Sequence, residues 1–348
     1  MATWHHLTQR TFRGASFAAC ALSWLILSLA AIASPASDPL TSWNEGPTKR
    51  AILDFVARVC DAASPEFVAA QDRIAAFDND GTLWAEQPMY VQAQFAIDRV
   101  KELAPSHPQW ANEHPFKELL AGETATALRT GEKDVVTLVM ATHAGMTTDD
   151  FHEIVSKWVA TAQHPRFHRL YTELAYQPML ELLQWLRGHG FKTYIVSGGG
   201  VDFMRPWVER VYGIPPEQTV GSTIKLRYEM RDRRPVLVRL AQIDAVDDGP
   251  GKPAAIEKFI GRAPLIAFGN SDGDREMLEW TKAQPGPRFV ALVHHTDAVR
   301  EWAYDRKSPV GRLDAALDEA LAKGWTVIDM KADWGRIFPF DGEKPQPP

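Results

Sequence analysis

Cysteine is scarce in this sequence, and that sets the first limits. Its 348 residues include only Cys20 and Cys60. Two thiols rule out a disulfide scaffold and a cysteine-rich zinc site. Positive charge is also short: 38 Lys and Arg stand against 44 Asp and Glu, a formal charge of −6. A dedicated nucleic-acid binder needs clustered Lys and Arg to neutralise phosphates, so no nucleic-acid partner is expected. Internal repeats are lacking, and the one low-complexity stretch is a polar tail at 341–348. Beyond residue 33 no apolar run is long enough to cross a bilayer. What is present is ordinary for a globular protein. With 45% hydrophobic and 24% charged residues, wholesale disorder is excluded. The length exceeds what one core usually supports, so one large or two unequal domains are expected.

The first residues read as a leader. Arg10 and Arg13 precede an uncharged stretch from Gly14 to Ser37, and small residues stand at Ala31 and Ala33. A basic start, an apolar run and an Ala-x-Ala ending are the layout of a secretory signal. The expectation is export, to the periplasm, with cleavage near Ala33. An uncleaved membrane anchor is the alternative. Cleavage would remove two Arg and no acid, taking the charge from −6 to −8. It would also remove Cys20 and leave Cys60 alone. No other membrane contact is expected.

Past the leader, helix and strand signals alternate. Residues 47–62 carry apolar Ile52, Phe55, Val56 and Val59 at helical spacing. Residues 73–78 form a short apolar run that ends in a polar turn, as a buried strand does. Further strands are expected at 191–196, 264–268 and 288–294, and a hairpin from 219–228 and 235–243. Helices are expected at 179–187, 252–260 and 274–281. Residues 84–176 hold helical patterns and few strand-like runs, with a helix capped near Thr147 and running through Trp158. Such alternation predicts an α/β fold: a Rossmann-like, mostly parallel sheet with helices on both faces. The core would comprise 34–83 and 177–340, and 84–176 would be an inserted, mainly helical cap.

Ligands in such sheets bind beyond the carboxyl ends of the strands. The informative residues therefore follow the apolar runs. They are Asp78-Asn79-Asp80-Gly81-Thr82, Ser197-Gly198-Gly199 and Gly269-Asn270-Ser271-Asp272-Gly273-Asp274, with Lys252 opening the helix before the last strand. Carboxylate and amide oxygens are the hard ligands that Mg²⁺ takes. One carboxylate can act as a nucleophile, and a second can protonate a leaving oxygen and then activate water. Lysine, a serine hydroxyl and loop amides can hold the charge of a transferring phosphoryl group.

These segments resemble the motifs of the haloacid dehalogenase superfamily of aspartate-nucleophile hydrolases. Phe77–Leu83 looks like the first motif, and Val196-Ser197-Gly198-Gly199 the second, as found in the phosphoserine phosphatase branch. Lys252 matches the third and Gly269–Asp274 the fourth, so the likeness spans about 73–295. The resemblance implies Asp78 as nucleophile and Asp80 as general acid/base. It implies Mg²⁺ on the Asp78 carboxylate, the Asp80 main-chain carbonyl and an acid of the fourth motif. Ser197, Gly198 and Lys252 would bind phosphate.

This chain departs from the pattern twice. The fourth motif commonly opens Gly-Asp, whereas here it is Gly269-Asn270. Asn270 could ligate through its amide oxygen, or Asp272 could take over; Asp274 falls where the family has a supporting acid. Glu86 lies one position from the acid that the phosphoserine enzymes place at the cap entrance, which makes it a candidate substrate or cap residue and leaves phosphoserine itself unsupported.

The expected activity is hydrolysis of a small phosphate monoester. The alternatives are a catalytically weak sensor of a phosphorylated ligand, a phosphotransferase, or a dehalogenase. The last is disfavoured by Asp80, because displacing halide needs no protonated leaving oxygen. His294 and His295 are expected to be structural or to sit at the rim. Trp84, Met89, Tyr90 and Phe95 are expected at the joint of core and cap.

Overall fold

The computed structural model describes residues 38–129 and 131–342. The leader at 1–33 and residues 343–348 of the polar tail lie outside the described residues. Helix α1 is Pro47–Cys60, started by Pro47, whose fixed φ suits a first helical position. It buries Ile52, Phe55, Val56 and Val59, as the helical spacing requires. Strand β1 is Ile74–Phe77, buried at every position. Helices α2 (Val91–Leu103), α3 (Phe116–Leu120), α4 (Thr124–Ala127), α5 (Glu132–His143) and α6 (Thr148–Val159) follow. Thr147 and Asp150 close a reciprocal capping box on α6, each side chain taking the other's backbone N–H.

Helix α7 (Gln177–Gly188) leads to β2 (Lys192–Gly200), and α8 (Val201–Tyr212) leads to the hairpin of β3 (Thr219–Arg231) and β4 (Arg234–Ala245). The hairpin turns on Asp232 and Arg233, both at positive φ, as a two-residue connection between twisted strands demands. Next come α9 (Gly251–Phe259), β5 (Ile266–Gly269), α10 (Arg275–Ala283) and β6 (Phe289–Thr296). The chain closes with β7 (Ala303–Tyr304), α11 (Ala315–Lys323), β8 (Thr326–Asp329) and α12 (Met330–Asp333).

The strands form one sheet in the order β4-β3-β2-β1-β5-β6-β7, with β8 also paired to β6. Pairing is parallel except for β3–β4 and β6–β7. Successive residues of a strand face opposite sides. Accordingly, Ala75 and Phe77 join one apolar cluster with α1 and α7, while Ala76 joins a second with α9, α10 and α11. Helices thus cover both faces, as expected. The strand β1, at the centre, delivers its carboxyl end to the middle of the sheet's edge.

One feature differs from the sequence reading. The strand expected to stop at Val196 continues through the glycines to Gly200, with a register shift against β3 between Ser197 and Gly200. A Gly run lets the backbone make that irregularity while still pairing. The segment 84–176 contributes no strand to the sheet among the described residues. Ile97, Val100, Trp110, Phe116, Leu119 and Leu138 form a small core of their own there. Phe151, Val155 and Val159 of α6 instead pack into the main cluster.

Candidate active site

Asp78 stands just past β1, and its amide is tied to Phe268 O of β5 at 2.9 Å. The chain then turns sharply, with Leu83 N on Asn79 O at 2.8 Å and Gly81 at φ +73°. A Cβ on Gly81 would stand 2.1 Å from Asn270 Nδ2 and 2.4 Å from Glu86 Oε1, so only glycine fits. The turn brings Asp80 back toward Asp78. Trp84 Nε1 donates to Asp80 Oδ1 at 2.8 Å, and the Trp84 ring stacks on Trp207.

Lys252 reaches in from α9 with its side chain buried. Its Nζ lies 2.6 Å from Asp78 Oδ1, 2.6 Å from Asp274 Oδ1 and 3.0 Å from Val196 O. The other Asp274 oxygen accepts from the amides of Asn270 and Ser271 at 2.9 and 3.0 Å. Ser197 is buried at the end of the apolar part of β2, and its Oγ accepts from Gly199 N at 3.1 Å. Asp78, Asp80, Glu86, Ser197, Gly198 and Lys252 all line one cavity of about 1220 Å³.

Asn270 sits behind this cluster. Thr82 Oγ1 donates to its Oδ1 at 3.1 Å, and its Nδ2 donates to Glu86 Oε1 at 2.7 Å. Glu86 also accepts from the Tyr304 hydroxyl at 2.7 Å. Asp272 turns away: its Oδ1 accepts from the amides of Asp314 and Ala316 at 2.9 and 3.0 Å, and its Oδ2 lies 3.2 Å from Arg312 Nε. It serves the N-terminus of α11, where an acid offsets the orphan amides. His295 is buried and bridges Gly81 O at 2.8 Å and Glu301 Oε2 at 3.2 Å, so it braces the turn that follows Asp80. His294 is half-buried, 3.6 Å from Asp305. Met89 and Tyr90 line the cavity, whereas Phe95 packs in the main core.

The description of the haloacid dehalogenase-like hydrolases matches residues 75–279, more than half of the chain. The chain belongs to this family. No curated protein matches it. Among solved structures, it is similar to a conserved protein of unknown function from Anaerococcus prevotii DSM 20548, with 15% identity and a TM-score of 0.54 over 82% of this chain and 91% of that one. It is also similar to a protein of unknown function from Bordetella pertussis Tohama I (18% identity, TM-score 0.44, 74% of this chain and 98% of that one). A third likeness is to a phosphoserine phosphohydrolase-like protein from Francisella tularensis (18%, 0.35, 64% and 87%). Only the first exceeds a TM-score of 0.5, and at 15% identity it supports the fold alone.

In this haloacid dehalogenase-like hydrolase, negative charge is crowded. Asp78, Glu86 and Asp274 are buried and Asp80 is half-buried, against the single ammonium of Lys252. Burial works against the Lys252 charge, but the Asp274 and Asp78 carboxylates hold its pKa well up, so it stays an ammonium. Burial, and then the Asp274 carboxylate, push Asp78 up against the pull of Lys252. Burial also raises Asp80, against the Trp84 hydrogen bond, and raises Glu86 strongly. Excess carboxylate among hard oxygen donors is the chemistry that suits a divalent cation. Among the described residues no three His, Cys, Asp or Glu side chains are grouped to hold a metal. The set implied by the resemblance is the Asp78 carboxylate, the Asp80 carbonyl and an acid of the fourth motif; in this chain Asn270 stands where that motif commonly has its acid, and its amide oxygen is the hard donor it offers. The residues present therefore fit Mg²⁺.

Two neighbours were not legible in the sequence. Gln92 accepts from Gly200 N at 2.7 Å and lies 3.2 Å from His143, whose pKa burial pushes down to about 3, leaving a neutral ring. Asp247 is buried beside the site, and burial, against the pull of Lys252, lifts it to about 7. Its folded value thus exceeds the unfolded one, near 3.9. Between pH 4 and 7 the folded state binds more protons, so stability falls as pH rises through that window, by up to about 4 kcal/mol. Asp247→Asn should remove this loss. Melting curves should show the variant more stable than wild type at pH 8 and no more stable at pH 4; parallel curves at both values would refute the assignment.

Proposed function

We propose that the protein hydrolyses phosphate monoesters, with Asp78 as nucleophile and Asp80 as general acid and then base. The observation that carries this reading is Asp78 held 2.6 Å from the Lys252 ammonium on a cavity that Asp80 and Ser197 also line. An Asp78 oxygen attacks phosphorus while the bond from phosphorus to the ester oxygen breaks. Asp80, protonated at the outset as its raised pKa favours, gives its proton to the departing alkoxide. The carboxylate left behind then takes a proton from water as that water attacks the aspartyl-phosphate, releasing inorganic phosphate and restoring Asp78. Lys252, Ser197 and the Gly198–Gly199 backbone orient the phosphoryl oxygens and offset their charge. The Asp78 carboxylate, the Asp80 carbonyl and Asn270 would hold Mg²⁺, which when bound neutralises phosphoryl charge.

The test is phosphate release from p-nitrophenyl phosphate by the full chain. Turnover should need added Mg²⁺, and EDTA should lower it about a hundredfold or more. Tight phosphate-analogue binding without release would favour the sensor reading instead, for which the Asn270 amide, hydrogen-bonded at both ends, is the motive. Export remains part of the proposal on the strength of residues 1–33, and N-terminal sequencing of the exported protein would check it.

A further inference from the structure

Resting on that reading of the site, the geometry points to a substrate whose alcohol is a long, uncharged hydrocarbon, such as an alkyl or isoprenyl monophosphate. The cavity measures about 1220 Å³. Pockets for ordinary small ligands are roughly 300–1000 Å³. Phosphate would occupy only the end formed by Asp78, Ser197 and Lys252. The remainder runs between α2 and α5 on one side and the base of the β3–β4 hairpin on the other, and its walls are largely apolar. Ala93 and Ile97 come from α2, Val139 and Met140 from α5, and Ile224 and Ile243 from the hairpin.

Charge and hydrogen-bonding capacity argue the same way. The lining contains two cations, Lys252 and Arg239. Lys252 is held by Asp78 and Asp274; Arg239 is bonded to Asp202 and to His143 O, and lies over the Phe151 ring. A second phosphate or a carboxylate on the substrate would meet neither of them unengaged, and it would face Glu86, Asp202 and Asp248. The uncharged polar groups of the wall are largely spent within the protein. Gln92 is held by Gly200 and His143, Ser222 by Gly198 O, Thr223 by Asp244, and the Tyr90 hydroxyl accepts from Gly311 N. A sugar or amino-acid body would lose most of its water hydrogen bonds there, with the wall's carboxylates as the main partners left. A hydrocarbon loses none.

The experiment uses the full chain with Mg²⁺ and compares ethyl, hexyl and decyl phosphate below their micelle concentrations, with phosphoserine and glucose 6-phosphate as polar counterparts and p-nitrophenyl phosphate as reference. Burial of methylenes is worth about three- to fourfold each, so kcat/KM should rise by at least about a hundredfold from ethyl to decyl phosphate. A flat series, or preference for either polar ester, overturns the inference while turnover of the reference keeps the phosphatase reading. Calorimetry with decylphosphonate and ethylphosphonate, which are not hydrolysed, separates the two claims. Decylphosphonate bound at least about a hundredfold more tightly with no ester turned over would sustain the apolar chamber and sink the phosphatase reading; equal affinities would sink the chamber. Val139→Glu and Ile243→Glu, on opposite walls, should each lower the decyl-to-ethyl ratio of kcat/KM about tenfold or more. An unchanged ratio in both variants, each folded by circular dichroism, counts against it.

Discussion

Replacing the attacking group should cost the most. Asp78→Asn is expected to lower phosphate release roughly a thousandfold or more, while the protein stays folded. An amide nitrogen or oxygen is a poor nucleophile, and an Asn at this position cannot form the acyl phosphate on which the second half of the reaction depends. The effect on stability should run the other way. Lys252 keeps Asp274 and Val196 O as partners when the Asp78 charge is removed. Asp78 is also held above its usual pKa by burial and by the neighbouring Asp274 charge, which means that its ionised form is a burden on the folded state. A melting temperature equal to or above that of wild type, combined with lost turnover, is the signature of a residue kept for chemistry at a cost in stability. Turnover within tenfold of wild type would remove Asp78 from the nucleophile role. Unfolding of the variant would show instead that the Asp78–Lys252 pair is structural.

The sheet was legible because each central strand is a short apolar run that ends where polar, glycine-rich chemistry begins. β1, β5 and β6 are read in this way, and the hairpin shows itself as two strand-like runs around a polar turn. The same rule failed at β2, because glycines after Ser197 look like a loop while pairing on as a strand. The C-terminal elements were not visible: β7 has only two residues, and β8, no shorter than β1, runs straight into Met330-Lys331 with no glycine-rich turn to mark its end. Asp272 illustrates the consequence. Its partners, the amides of Asp314 and Ala316, lie more than 40 residues onward at the start of a helix that the sequence did not announce. Reading the motif alone leaves it beside Asn270 as a metal candidate. Glu86 is the converse case. It could be singled out by its place after the first motif, but its burial against Asn270 and Tyr304 depends on contacts across 184 and 218 residues. Spacing carries the residues that chemistry requires in sequence order; it does not carry the packing that decides which oxygen is left open.

Asp274 tests that packing directly. Asp274→Ala should destabilise the fold by roughly 3–5 kcal/mol, the largest loss of stability expected from a single change at the site. The side chain is fully buried, and each of its oxygens has a separate duty. Oδ1 holds the Lys252 ammonium at 2.6 Å, and Oδ2 takes the amides of Asn270 and Ser271. Truncation leaves a buried ammonium with Asp78 as its only carboxylate partner, and it strips two backbone donors of their acceptor, so the penalty combines a half-broken ion pair with unsatisfied amides. For a chain of this length that corresponds to a fall in melting temperature of about 5–8 °C. Asp274→Asn should lie between, since its amide oxygen can still receive the two backbone N–H groups while its uncharged head no longer balances Lys252. The ordering Asp, Asn, Ala in thermal stability is the discriminating result. If Asn proved as stable as Asp, the ion pair with Lys252 would contribute little and the loop hydrogen bonds nearly everything. If Ala were as stable as either, the Asp274–Lys252 contact would not be what holds Lys252 against Asp78.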